Sequence, residues 1–279
     1  MEIIQNVDSL RNRVEFLRKE RKYIGLVPTM GYFHDGHLNL MRLSVSECDV
    51  TVVSNYVNPA QFDRRDDLES YPINFERDKA LAEEIGVDIM FYPQTLYQSD
   101  HKTWVTVEKL TDVLCGRSRP GHFKGVATVV CKLFNIVNPH VAYFGQKDAQ
   151  QAAVIEQMIK DLNFDIRLVL SPIIREHDGL AMSSRNVQLT PEHRKKAPVF
   201  YEQLQLIDKK LLPDLSNKEM LIEQAKKTLE NIPGVRVDYI EVLSWPHLEI
   251  PDKTSHRLLI AGAVFFGNVR LIDNIIKEL

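Results

Sequence analysis

Short β-branched runs alternating with helical spacings predict an α/β chain built on a parallel sheet. Three observations predict it. First, residues 23–27, 50–57, 87–92, 141–144 and 166–170 read as strands, and 50–57 is nearly continuous in apolar character, as expected of a strand buried on both faces. Second, apolar residues recur at three- and four-residue spacing between those runs: Leu38, Met41, Val45 and Cys48; then 75–85; then Val126, Val129, Val130, Leu133 and Val137; then Ala152, Ile155, Ile159 and Leu162. Third, the pattern changes after about residue 176 to polar helices and long strands. The expected organisation is a Rossmann-like domain over 1–176 and a small α+β domain over 177–279.

The remaining elements follow from local signals. Residues 1–22 carry Leu10, Val14 and Leu17 among charges and read as an amphipathic helix. Gly86 stops the helix over 75–85. Residues 103–107 read as a further strand, and a Gly/Arg/Pro-rich loop follows over 116–125. Thr190 and Pro191 read as the N-cap and first residue of a helix. Ser216-Asn217-Lys218-Glu219 reads as a capping box. Residues 235–243 and a strand pair around Gly267-Asn268 complete the second domain.

Composition narrows the function classes. The chain has 279 residues, 44% apolar and 26% charged, with a formal net charge of −3, so no basic field exists to hold nucleic acid non-specifically. The basic run His193-Arg194-Lys195-Lys196 is read as a solvated helix face. Cys48, Cys115 and Cys131 are far apart and form no C-x-x-C, so free thiols in a reducing compartment fit best. The first residues lack an apolar signal segment, and the longest apolar stretch, 258–266, is too short to span a bilayer. A cytoplasmic protein is expected.

Five polar runs carry candidate chemistry, and those at 34–37, 58–62 and 145–148 fall at or just past strand ends, where parallel sheets bind ligands. His34-Asp35-Gly36-His37 sits at a strand-to-helix turn and reads either as a phosphate site or as a plain turn with two solvated histidines. A helix N-terminus offers backbone N–H groups to an anion, and imidazoles donate to a phosphate whose charge grows during reaction. Asn58-Pro59-Ala60-Gln61-Phe62 follows the next strand and offers neutral donors and acceptors; it also reads as a plain polar turn. Arg119-Pro120-Gly121-His122-Phe123-Lys124-Gly125 reads as an anion-binding loop or an exposed one. Gly145-Gln146-Lys147-Asp148 offers a cation for phosphate and a carboxylate for Mg²⁺, or an N-cap. Met182-Ser183-Ser184-Arg185 suits a mobile phosphate clamp. Neither G-x-G-x-x-G nor G-x-x-x-x-G-K-S/T occurs, so phosphate handling must rest on these other groups.

Taken together, PTMG…H-x-G-H, NPAQF, RPGHFKGVATVV-x-KLFN, FGQKDAQQ and REHDGLAMSSRN resemble the pantoate–β-alanine ligase family, within the H-x-G-H nucleotidyltransferase group that includes class I aminoacyl-tRNA synthetases. The resemblance is close over 22–190 and looser beyond. It implies an ATP- and Mg²⁺-dependent ligase that activates pantoate as an acyl adenylate and passes it to β-alanine, with the C-terminal domain acting as a lid. It implies catalytic roles for His37, His34 and Lys147. ATP would meet Met30, Gly31, Tyr32, Phe33, His34, Asp35, Gly36, His37, Gly145, Gln146, Lys147 and Asp148. Ile174, Met182, Ser183, Ser184 and Arg185 would complete that set. Pantoate would meet Gln61, Gln151, Asn58 and Met30, with Gln61 also near β-alanine. Asp148 and Asp78 are the carboxylates considered for Mg²⁺. A homodimer acting on small molecules, without nucleic acid or membrane partners, is the corresponding expectation. Three departures from the family pattern bear on pocket shape and dimer contacts. Tyr32-Phe33 is bulky, Ile73 follows Tyr71-Pro72 where Arg is frequent, and Ala149 stands for the usual Tyr.

Two rival classes remain open on the residues alone. One is another H-x-G-H adenylyltransferase acting on a phosphorylated substrate, which would need a further cationic pocket. The other is a non-catalytic nucleotide binder or RNA-binding fragment, against which the net charge and the retained His34, His37 and Lys147 argue.

Overall fold

The computed structural model describes all 279 residues. It divides into two compact units. The first comprises Met1–Glu108, Arg119–Gly145 and Val154–Pro172; the second comprises Lys109–Ser118, Gln146–Ala153 and Ile173–Leu279.

The chain runs β1 (Glu2–Ile4), α1 (Val7–Lys19), β2 (Ile24–Thr29), α2 (Asp35–Glu47), β3 (Val50–Asn55), α3 (Arg65–Glu69), α4 (Phe75–Ile85), β4 (Ile89–Phe91), α5 (Leu114–Ser118), α6 (His122–Val137), β5 (Val141–Gly145), α7 (Ala149–Asp161) and β6 (Arg167–Ser171). The six strands of the first unit form one parallel sheet in the order β1-β4-β3-β2-β5-β6. Every residue of β3 is buried, including Thr51 and Ser54, whose hydroxyls bond the Ser44 hydroxyl and the Thr29 N–H. Val27, Val53, Met90, Val141 and Tyr143 of the strands pack with Phe33, Leu38, Leu40 and Met41 to make a core on one face. Gly86 ends α4 in the left-handed conformation, as read from sequence.

Two expectations for this unit change. Residues 1–22 are not all helix: Asn6 caps α1 by accepting from the Asp8 and Ser9 amides, and Glu2–Ile4 before it pairs with β4. Residues 103–107 form no ladder. The Val105 N–H donates to Thr128 Oγ1 (3.0 Å) and Lys124 covers the Trp104 ring, so side chains of α6 hold the segment read from sequence as a strand.

The second unit continues with α8 (Pro191–Lys196), α9 (Val199–Lys210), α10 (Lys218–Glu230), β7 (Val235–Ser244), β8 (Arg257–Phe266) and β9 (Val269–Glu278). The three strands form an antiparallel sheet in chain order. Phe200, Leu204 and Ile207 of α9 and Leu221, Ala225 and Leu229 of α10 close its core over Ile240, Leu258, Ile260 and Val264. Thr190 caps α8 through the His193 amide, with Pro191 at the first helical position. The capping box at 216–219 does not form. Ser216 binds Asp214, and Asn217 turns its amide to Lys210 O and its oxygen to the Leu212 N–H. No helix is long and apolar enough to cross a membrane.

Candidate active site

In the first unit, β2 and β5 lie side by side at the centre of the sheet, and the chain leaves them toward opposite edges: β2 to β3, β5 to β6. Such a reversal opens a ligand crevice at the carboxyl ends of the strands. The H-x-G-H turn begins there, directly after Thr29.

That turn is held from beneath by one carboxylate. Gly31 (φ +82°) and Tyr32 (φ 50°) are successive left-handed residues. A Cβ at Gly31 would lie 2.5 Å from Asn55 Oδ1, so only glycine fits. Tyr32 takes the same conformation against its side chain's preference, which needs support. Asp78, 1% exposed, supplies it. Its oxygens accept from the Tyr32 amide (2.6 Å), the Phe33 amide (2.8 Å) and Asn55 Nδ2 (3.2 Å). Asp78 is thereby an anchor with both oxygens committed, and the metal role considered for it gives way. Phe33 is fully buried in the core, so its side chain packs beneath the turn and does not line a pocket.

The two histidines cap α2 reciprocally. His34 is the N-cap and its Nδ1 accepts from the Gly36 amide (3.2 Å), while His37 Nδ1 accepts from the His34 amide (3.4 Å). The rings lie 4.1 Å apart. Both Nδ1 atoms thus face backbone N–H donors, at a helix end that favours anions.

A second group forms around Gln61. Asn58 caps the 3-10 turn Pro59–Gln61, and its Nδ2 donates to Gln61 Oε1 (3.0 Å) and Gly125 O (3.1 Å). Gln61 Nε2 reaches Met30 Sδ at 2.9 Å. Met30, Asn58 and Gln61, read from separate motifs, therefore meet. The Arg119–Gly125 loop, read as an anion cradle, braces them. His122 Nδ1 (2.7 Å) and Arg119 Nη2 (3.3 Å) donate to Gln61 O, and Arg119 Nε pairs with Asp63 at 2.9 Å. A Cβ at Gly125 would stand 2.2 Å from Ala60 O, so this close approach depends on glycine.

In the second unit, a 3-10 turn over Gln146–Asp148 leads into α7. Lys147 Nζ lies 3.7 Å from Asp148 Oδ2, and the Asp148 side chain is 48% exposed. Gln150 is structural, binding Leu110 O, Val113 O and the Cys115 amide; its neighbour Gln151 is half-buried. Residues 174–182 form a hairpin. The Ile174 carbonyl accepts from the Met182 amide (3.0 Å), and Arg175 bridges to Ala181. Ser183 then caps a 3-10 turn over Ser184–Gln188 by accepting from the Arg185 amide. Arg194 pairs with Glu176 (2.5 Å) and Asp178 (2.6 Å), and Asn186 donates to Glu176 (2.7 Å). The Arg194 hydrogen bond holds the Asp178 carboxyl below its ordinary range. No group of three or more His, Cys, Asp or Glu side chains is placed to hold a metal.

Comparison with known proteins decides the family. The pattern of the pantoate-beta-alanine ligase family matches residues 2–276. The chain belongs to the pantoate-beta-alanine ligase family. It is 51% identical to a pantothenate synthetase of Caldicellulosiruptor bescii over 280 residues, covering 100% of this chain and 99% of that one. It is 48% identical to one of Thermotoga petrophila, covering 99% of each. Among solved structures, pantothenate synthetase from Thermus thermophilus superposes with a TM-score of 0.88 at 40% identity, covering 99% of each chain. Pantoate-beta-alanine ligase from Francisella tularensis, complexed with beta-gamma ATP and beta-alanine, superposes with a TM-score of 0.81 at 34% identity, covering 99% of this chain and 97% of that one. Within this ligase family the departures now have places. Phe33 and Ala149 are buried, Tyr32 forms the left-handed turn under Arg77, and Ile73 is exposed. Sequence reading missed Asn55, the bracing role of Arg119 and His122, and the buried pair Asp273-Asn274. Only the last left a signal, as an Asp-Asn pair flanked by Leu271-Ile272 and Ile275-Ile276.

Proposed function

We propose that this chain condenses pantoate with β-alanine at the expense of ATP, through a pantoyl-adenylate, with release of pyrophosphate and AMP. Membership of the ligase family supports the reaction class. The observation that carries the mechanism is the pair of imidazoles at the start of α2, each with its Nδ1 facing a backbone amide. Attack of the pantoate carboxylate on the α-phosphate brings two anions together. Donors fixed in place before the reaction lower that barrier most, because they need no reorganisation as charge develops. From the first unit, His34 and His37 donate to phosphate oxygens. Met30, Asn58 and Gln61 read the hydroxy-acid. From the second, Lys147, Ser183, Ser184 and Arg185 meet phosphates, Ile174 and Met182 flank the nucleotide, and Gln151 joins the pantoate contacts. The β-alanine amine then attacks the acyl carbon, forming the amide as AMP leaves. No covalent enzyme intermediate is required.

Mg²⁺ arrives with ATP as part of the substrate. A single carboxylate together with phosphate oxygens and water satisfies it, and the half-exposed Asp148 fits that role better than the committed Asp78. The proposal includes a cytoplasmic homodimer, which sedimentation velocity tests. The activity test is incubation with ATP, Mg²⁺ and pantoate, with and without β-alanine. Equal amounts of AMP and pantothenate, formed only with all substrates, are expected; ATP turnover independent of pantoate would refute the reading.

A further inference from the structure

We infer that Asp273 and Asn274, consecutive residues of β9, are positioning residues that set Lys147 and the 174–182 hairpin for ATP. The inference rests on the reading of Lys147 as a phosphate-binding cation. Both residues are 3% exposed, in a strand whose other buried positions are largely apolar. Successive residues of a strand face opposite ways, so this pair serves two directions at once.

Asn274 serves the Gln146–Asp148 turn. Its Nδ2 donates to Gln146 O (2.9 Å) and Lys147 O (3.0 Å), and its Oδ1 accepts from Gln146 Nε2 (3.2 Å). One carboxamide thus holds two successive carbonyls and a side chain. Lysine places its ammonium at the end of a flexible four-carbon stem. Fixing the backbone at the base of that stem limits the volume the ammonium explores, which lowers the entropic cost of meeting a phosphate.

Asp273 serves the hairpin. Its carboxylate takes Arg175 Nη1 (2.6 Å) and Nη2 (3.0 Å) in a two-pronged pair. The same guanidinium donates to Gly179 O (3.0 Å) and lies over the Tyr201 ring, 3.3 Å from its centre. The Asn274 amide closes the pair by donating to Asp273 Oδ1 (2.8 Å). The dipeptide therefore ties the turn bearing Lys147 and the hairpin leading to Met182 to one strand. A role confined to fold stability does not call for a carboxamide spent wholly on residues 146 and 147.

The test is steady-state kinetics with each substrate varied, on Asn274→Ala, on Asn274→Ser (which keeps a donor), on Lys147→Ala and on the Asn274→Ala/Lys147→Ala double variant, with melting temperatures alongside. The expected result for Asn274→Ala is a KM for ATP raised about tenfold, equivalent to roughly 1.4 kcal/mol, with KM for pantoate and β-alanine within about twofold. Asn274→Ser should lie between it and the wild type. In the double variant, the Asn274 effect on ATP should vanish, because the ammonium it places is gone. If Lys147→Ala weakens ATP while both Asn274 variants leave its KM unchanged, the positioning role is overturned and the reading of Lys147 stands. Equal rises in all three KM values, or additive effects in the double variant, also overturn it. If Lys147→Ala leaves ATP binding intact, both fall together. Should Asn274→Ala not fold, the serine variant alone decides by the same KM split.

Discussion

The H-x-G-H turn and the 174–186 segment are both assigned to ATP, yet they are held in opposite ways. The turn hangs from a buried carboxylate by backbone amides, with two left-handed residues and a histidine capping box above it. The 174–186 segment hangs mainly from side chains, with Arg194 reaching Glu176 and Asp178 where all three groups are about a quarter exposed. Backbone amides on a buried acceptor leave little freedom and little access for salt. The partly exposed Arg194 pairs are screened and individually weak, and the one buried ion pair of the hairpin, Arg175 with Asp273, stands at its base. Under the proposed function the difference suits two tasks: a rigid donor set would serve the transition state, and a more adjustable segment would admit and release nucleotide.

Replacing the two anchors should separate them most widely. Asp78→Asn places an amide N–H against at least one backbone N–H in a dry site. It should cost roughly 1–3 kcal/mol of unfolding free energy and most of the activity, whereas Glu176→Gln should cost under about 1 kcal/mol. Urea unfolding of the two variants checks this, and equal losses would break the comparison. Next in size, His37→Ala should slow adenylate formation by roughly 10²–10³-fold, the range for one lost transition-state donor. Single-turnover release of pyrophosphate measures it, and near-wild-type rates would remove His37 from the reaction. Gln61→Ala should raise the KM for pantoate about tenfold or more while that for ATP changes little, as expected for loss of a hydrogen bond to substrate. Parallel saturation curves decide it.

The smallest expected effect concerns acid. Asp178 titrates lower in the folded chain than its ordinary value of 3.8 because Arg194 binds its ionised form. A depressed carboxylate stabilises the fold above the unfolded value, and that contribution is lost as pH falls through the folded one. The Arg194→Ala variant should therefore match the wild type more closely below about pH 3.8 than at neutrality, by under about 1 kcal/mol. Chemical denaturation at several pH values and salt concentrations tests it. A gap that is independent of both would show that packing, not charge, holds the hairpin.

Much of this arrangement is legible in the sequence because the constraints are local. Buried parallel strands favour β-branched and apolar residues, so β2 and β3 are visible, and strand ends mark where His34, Gln61 and Lys147 must fall. What escapes reading is the partner. Asp78 looks like any first-turn acid of α4, and nothing nearby reveals that its acceptors serve amides 45 and 46 positions earlier. The 103–107 segment is β-branched like a strand, but whether a ladder or Thr128 takes its amide is decided only in space. The capping box at 216–219 fails for the same reason, since Asn217 finds better partners at Lys210 and Leu212. Strand β1, three residues long, is too short to show a period.

The most direct test of the account is pantoate-dependent exchange of labelled pyrophosphate into ATP in the absence of β-alanine. Reversible adenylation at a turn of fixed donors predicts exchange that requires pantoate and Mg²⁺ and falls roughly 10²–10³-fold in His37→Ala. Exchange without pantoate, or none while ATP remains bound, would contradict it.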